Sequence, residues 1–149
     1  MTVTVRDLAA GDEGRWRDLW KGYCTFYETD MPPAVSDATW ARLTDPAETA
    51  MFSLVACDGN DGVVGFVNCV LHPNTWTEKP VCYLEDLFVA PQARNRGAGR
   101  ALIEAVRERG RADGWHRVYW RTRNDNATAR ALYDTLADGT DWVTYEISL

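Results

Sequence analysis

The hydrophobic positions of this chain change their period several times, and each change marks an element. Residues 2–8 alternate, with Val3 and Val5 between polar neighbours, which predicts a half-buried strand. A turn, Ala9-Ala10-Gly11-Asp12, follows, with Asp12 placed to cap a helix. Trp16, Leu19, Trp20, Tyr23 and Tyr27 then recur at helical spacing, an amphipathic helix despite Gly22 in its interior. Its aromatic stripe reads as core. Pro32 and Pro33 cannot continue that helix, and a short second one is expected from Ser36-Asp37 through Trp40 and Leu43 to Asp45-Pro46.

From residue 51 the period falls to two. Residues 51–57 and 63–71 read as strands of a hairpin around the turn Asp58-Gly59-Asn60-Asp61-Gly62. Residues 72–80 read as a loop. Residues 81–89 read as a strand that is apolar on both sides: simple alternation puts Val81, Tyr83, Leu87 and Val89 on one, Cys82, Leu84 and Phe88 on the other. Such a strand is central and covered on both faces. A helix carrying Leu102, Ala105 and Val106 runs to about residue 113, where Gly114 stops it. A strand over 116–122 follows. Asn124-Asp125-Asn126 caps a helix bearing Ala129, Leu132, Tyr133 and Leu136, and a final strand is expected over 142–148. The order implies an α+β fold whose second half is β-α-β-α-β.

Bulk properties narrow the function. With 149 residues the chain makes one domain, 1–149, large enough for a core without staples. A net charge of −6 argues against non-specific nucleic-acid binding and mildly favours cationic partners. No apolar run approaches a membrane span and no signal peptide is visible, so no membrane role is expected and the compartment reads as cytoplasmic. Cys24, Cys57, Cys69 and Cys82 are scattered through apolar surroundings, which implies buried thiols and no metal site.

The chemistry concentrates after residue 84. A carboxylate in a strand covered on both faces is costly unless paired or bordering a cleft, so Glu85 and Asp86 are conspicuous. Glu85 reads as functional; for Asp86, function and structural pairing with an arginine both stand. The strand ends at Pro91, and Arg94-Asn95-Arg96-Gly97-Ala98-Gly99-Arg100 leads into the helix. Helix-start N–H groups, two glycines that admit close approach and three arginines suit a pyrophosphate. The spacing fits neither the NTP-binding Gly-x-x-x-x-Gly-Lys loop nor the dinucleotide Gly-x-Gly-x-x-Gly turn.

Arg94 to Gly99 resembles the Gln/Arg-x-x-Gly-x-Gly/Ala signature of the GCN5-related N-acetyltransferases. Asn126-Ala127-Thr128-Ala129-Arg130-Ala131-Leu132-Tyr133 resembles that family's second signature, Asn-x-x-Ala-x-x-x-Tyr. The order of elements is similar to the family fold over essentially the whole chain: a mixed, mostly antiparallel sheet flanked by helices. The resemblance implies acetyl-CoA as co-substrate, held by Arg94, Asn95, Arg96, Gly97, Ala98, Gly99 and Arg100 at the pyrophosphate and by Leu87, Phe88, Val89 and Asn126 along the arm. Tyr83 to Val89 resembles the diamine and polyamine branch, where the residue matching Glu85 is the proposed general base. Tyr133 would be the general acid, its phenol a suitable donor to a thiolate. Phe26-Tyr27-Glu28, Pro32-Pro33 and Trp40 resemble the same branch. That implies a small amine acceptor near Tyr27, Glu28, Asp30 and Asp86, although Glu28 and Asp30 also read as solvated loop carboxylates. A homodimer is implied by resemblance alone. A protein N-acetyltransferase and a non-catalytic acyl-CoA-binding regulator remain alternatives. Where the family has Leu-Gly-Phe/Ala after its tyrosine helix, this chain has Leu136-Ala137-Asp138-Gly139.

Overall fold

A computed structural model describes residues 2–60 and 62–149; Met1, and Asp61 in the turn expected at 58–62, lie outside them. Five strands form one sheet in the order β1 (Thr4–Asp7), β2 (Met51–Cys57), β3 (Val63–Asn74), β4 (Thr77–Val89) and β5 (Val118–Tyr119). Neighbours are antiparallel except β4 and β5, which are parallel. Helices α1 (Glu13–Phe26) and α2 (Pro33–Thr44) cover one face, α3 (Ala98–Asp113) and α4 (Ala127–Tyr133) the other. The expected mixed, mostly antiparallel α+β sheet is present.

Each face has its own core. Trp16, Leu19 and Trp20 of α1 meet Trp40, Val55, Phe66 and Phe88, with Trp16 stacked on Trp20 at 5.4 Å between rings. On the opposite face Leu102, Ile103 and Val106 of α3 meet Leu54, Val67, Cys69, Cys82 and Leu84. All four cysteines are buried thiols. Gly22 has a packing reason: a Cβ there would come within 3.0 Å of the Phe88 ring.

Several boundaries differ from the sequence reading. Helix α2 begins at Pro33, not at Ser36, because proline is preorganised for the first helical position. Ser36 instead accepts a hydrogen bond from the Trp20 indole at 2.9 Å, and Asp37 takes Arg17. Asp12 sits just before α1 but makes no side-chain bond to that helix; its carboxylate instead receives the Arg6 guanidinium and the Ala9 N–H. The expected loop at 72–80 is largely strand. The Asn74 side chain accepts from the Trp76 N–H at 2.8 Å and closes a tight hairpin, so β3 and β4 run on to its tip.

The largest departures concern the sheet's β5 end. The strand expected over 116–122 is reduced to Val118–Tyr119. The strand expected over 142–148 does not form; Trp142, Val143, Tyr145 and Ile147 are 74–91% exposed. The segment makes no ladder with any strand among the described residues.

Candidate active site

The site starts from one extra residue in β4. Asn68 of β3 lies opposite Asp86, but Cys69 lies opposite Leu84, so Glu85 has no partner and forms a β-bulge. A bulge reverses the alternation of side chains beyond it. Cys82 and Leu84 face α3, and so do Leu87 and Val89, while Phe88 packs under α1. The simple alternation read from the sequence, with Leu87 and Val89 on the side of Tyr83, is therefore overturned at Glu85. The bulge also gives the carboxylates a common side. Glu85 follows Leu84 onto the α1 face, and Asp86, one residue later, stays there, bonded to Tyr23 of α1 and to Asn68 Nδ2 at 3.0 Å.

The two acids have unlike surroundings. Asp86 is the more enclosed; burial raises its pKa, and the bonds from Tyr23 and Asn68 pull it partly back. Glu85 is exposed, yet burial of part of the group and the neighbouring Asp86 raise it, with Arg121 opposing. Tyr23 is pushed far up by burial and by Asp86. The bulge thus makes a compact anionic pair with an aromatic roof, Tyr23 and Tyr27 standing 4.8 Å apart ring to ring.

Beyond the bulge β4 loses its neighbour. The β4–β5 ladder holds only at Cys82–Val118 and Tyr83–Tyr119, whereas β4 continues to Val89. Along Leu87, Phe88 and Val89 one strand edge therefore faces a fork instead of a partner. An extended ligand arm can hydrogen-bond such an edge as an added strand would.

Helix α3 starts at the mouth of this fork. Asn95 and Gly97 both have left-handed backbones, φ 63° and 86°, and nothing lies within 4 Å of a Cβ built on Gly97. The turn thus leaves the first N–H groups of a 16-residue helix open to an anion, which fits a pyrophosphate. Ala98 is buried, and a Cβ on Gly99 would touch Leu132 of α4 at 3.5 Å. The arginines are partly committed. Arg94 donates to the Val89 carbonyl at 3.1 Å and lies over the Phe88 ring; Arg100 donates to Thr135 Oγ1 at 2.9 Å. Each guanidinium retains further N–H donors.

Tyr133 approaches from the other face. It ends α4, is half-buried and stands edge-on to Trp120 at 5.4 Å. Burial raises its pKa, and so does the Tyr27 phenol at the end of α1. Tyr27 in turn senses Asp86. Asn126 caps α4, accepting from the Ala129 N–H at 3.5 Å and donating to Thr122 at 3.2 Å. Glu28, with φ 53°, and Asp30 sit in the exposed loop after α1, outside the carboxylate pair.

Some residues here escaped the sequence reading. Tyr23 was expected in the core and Asn68 was not singled out, yet both hold Asp86. Beside Glu85, the Tyr83 and Tyr119 rings lie tilted against each other at 4.9 Å, and Arg121 donates to the Tyr83 hydroxyl at 3.0 Å. The alternation Arg117, Tyr119, Arg121, Arg123 was a legible signal for that platform. Among the described residues no group of three or more His, Cys, Asp or Glu side chains could hold a metal.

A forked sheet, an anion-ready helix start at its mouth and proton-carrying side chains on both of its faces define an acyl-CoA-dependent transferase. The chain belongs to the acetyltransferase (GNAT) family, whose model matches residues 15–137. It is 38% identical over 145 residues to the D-amino-acid N-acetyltransferase HPA3 of Saccharomyces cerevisiae, covering 97% of this chain and 89% of that one. It is 32% identical over 133 residues to an aminoglycoside N(6′)-acetyltransferase type 1 of Stenotrophomonas maltophilia, covering 87% and 82%. The aminoglycoside acetyltransferase AAC(6′)-Iy, solved with a CoA-containing bisubstrate analogue, shares the fold with a TM-score of 0.83 at 22% identity, over 100% and 99% of the two chains. The protein is an acetyl-CoA-dependent N-acetyltransferase that transfers acetyl to an amine.

Proposed function

We propose that the acceptor is a small cationic primary amine, a diamine, polyamine or amino-acid-like molecule, acetylated by direct attack with Glu85 as general base and Tyr133 as general acid. The observation that carries this reading is the bulge, which sets Glu85 and Asp86 side by side on the α1 face next to the fork. Two close carboxylates suit a cationic acceptor, and the relatives named for D-amino acids and aminoglycosides act on small amines.

An amine of pKa ~10.4 is neutral in only about one molecule in 2,500 at pH 7. Attack on a thioester needs that neutral form, so a carboxylate beside the acceptor takes the proton, directly or through water. Glu85 is solvent-connected and can release it again; Asp86, tied to Tyr23 and Asn68, keeps the acceptor cation in place. The leaving thiolate, with a reference pKa of ~8.5, takes a proton from Tyr133, whose raised pKa keeps it protonated at neutral pH. Backbone groups of Leu87, Phe88 and Val89 and the Asn126 amide hold the acyl-CoA arm. The loop Arg94, Asn95, Arg96, Gly97, Ala98, Gly99 and Arg100 holds the pyrophosphate. Tyr27 walls the acceptor pocket, and Glu28 and Asp30 lie at its rim. The buried thiols fit a reducing, cytoplasmic compartment, and the exposed apolar C-terminal segment supports a homodimer. This chemistry requires no metal.

Glu85→Gln tests the assignment through pH. Because burial and the neighbouring Asp86 raise its folded pKa, the wild-type acid limb of kcat/KM should fall above the ordinary glutamate value. The variant should lose most at pH 7 and recover partly towards pH 10, where the amine loses its proton unaided. An equal relative loss across that range would make Glu85 a binding group and not the base. A screen of diamines, polyamines, amino acids and aminoglycosides by thiol release identifies the acceptor, and a best substrate that is neutral would overturn the carboxylate-lined pocket.

A further inference from the structure

The two arms of the fork carry charge of opposite sign. Cys82 and Leu84 pack towards α3, so Tyr83 and Glu85 point to the other face of the sheet. On the second arm Val118 and Trp120 pack towards α3, and Tyr119 points away from it. Tyr83 and Tyr119 form the last rung of the parallel ladder. Two residues further along each arm stand Glu85 and Arg121, both exposed, and Arg121 reaches the Tyr83 hydroxyl on the same face. The field between the arms is felt on the acceptor side. Burial and Asp86 raise the Glu85 pKa while Arg121 lowers it; burial and Asp86 raise that of Tyr27 while Arg123 lowers it. The acceptor side is dipolar.

Arg121 is oriented, yet it keeps donors to spare. Its Nε donates to the Tyr83 hydroxyl at 3.0 Å. Tyr83 is set against the Tyr119 ring at 4.9 Å, and the Tyr119 hydroxyl lies 2.8 Å from His72 Nε2, so the support of the guanidinium is itself held. A phenol that accepts one hydrogen bond still has its own proton to give, and a guanidinium bonded through Nε has further N–H groups. Glu146 reaches Arg121 Nη1 at 3.4 Å from an exposed segment, longer than the roughly 2.7–2.9 Å of a tight charge-assisted bond. That contact is loose enough for a ligand carboxylate to replace it.

We propose that Arg121 and Tyr83 read a carboxylate on the acceptor, so that the site takes amino acids in preference to diamines and polyamines. The ammonium lies against Glu85 and Asp86 on one arm, and the carboxylate lies against Arg121 on the other. A diamine would instead bring a second ammonium to Arg121 as a like charge, which works against it. This inference deepens the proposed reading. It rests on the placement of the acceptor beside Glu85, and not on Glu85 being the base.

The test assays a panel of amino acids, each beside its own carboxamide, with putrescine and spermidine as amines that lack a carboxylate. Thiol release from acetyl-CoA gives kcat/KM for each. The quantity read is the ratio of acid to amide in wild type divided by that ratio in Arg121→Gln. A general loss of activity cancels in it, and so does the lower amine pKa of the amide. The substitution should lower the ratio about tenfold or more, through KM for the acid, the order of one hydrogen bond between charged groups. Arg121→Lys, which keeps the charge, should retain part of the preference. A ratio unmoved by Arg121→Gln, or a wild type that acetylates putrescine or spermidine faster than every amino acid, would overturn the inference in an enzyme that is still active. Failure of the proposed reading shows elsewhere, in an equal relative loss for Glu85→Gln from pH 7 to pH 10.

Discussion

Glu85 and Tyr133, the proposed base and acid, stand on opposite faces of the sheet, beside the fork between β4 and β5. Their neighbours decide how each can be tested. Tyr133 packs edge-on against Trp120, so a large substitution would confuse packing with proton transfer. Tyr133→Phe keeps the ring and removes the proton. We expect kcat to fall about 10²-fold or more with little change in melting temperature, because general acid catalysis is worth that order and the ring contacts persist. Steady-state kinetics beside a thermal melt checks it, and an unchanged kcat would return Tyr133 to the core. Glu85 and Tyr133 could be proposed as site residues from the sequence because each lies in a motif. The surroundings of Asp86 could not be read there. Its neighbours Tyr23 and Asn68 depend on a bulge that reverses the alternation, and nothing in an apolar run of β4 announces where an extra residue is accommodated.

Elements were legible where local rules act alone. Gly114 stops α3 with φ 75°, and Asn126 caps α4. They were misread where a partner decides: Pro33 rather than Ser36 starts α2, and the hairpin closed by Asn74 replaces a loop. β5 stops at Tyr119, where the bulged β4 parts from it. The turn into α3 yields a prediction at this scale. Gly97 sits at φ 86° with open space where a Cβ would go, so its glycine is required by backbone conformation rather than by a neighbouring atom. Valine is strongly disfavoured at positive φ, and Gly97→Val should shift the turn off its anion-holding geometry. Calorimetry should show acetyl-CoA affinity weakened by about tenfold or more, the scale of 1–3 kcal/mol of local strain. The core clusters lie elsewhere, so the fold should survive. Wild-type affinity would remove the loop from the pyrophosphate site.

At the scale of the whole molecule the field is negative, with a formal charge of −6, and it is arranged unevenly. Arginines gather at the start of α3, while Glu85 and Asp86 sit on the α1 face and Glu28 and Asp30 lie in the loop after α1. The two substrates should therefore both respond to salt, but through different residues. Attraction between partly exposed charges fades as the Debye length shrinks from about 10 Å at 0.1 M to about 3 Å at 1 M. With acetyl-CoA saturating, KM for the amine should rise with ionic strength, since only the acceptor's attraction to the carboxylates is then being weakened. The double variant Glu28→Gln, Asp30→Asn should flatten part of that dependence while leaving kcat near wild type, because both side chains are exposed and remote from the proton transfers. The salt response of acetyl-CoA should be unaltered in the same variant, since its arginines are untouched. An amine KM that does not move with salt would remove the carboxylates from acceptor binding. A slope that survives the double substitution in full would confine acceptor recognition to Glu85 and Asp86 and leave the loop as solvated surface.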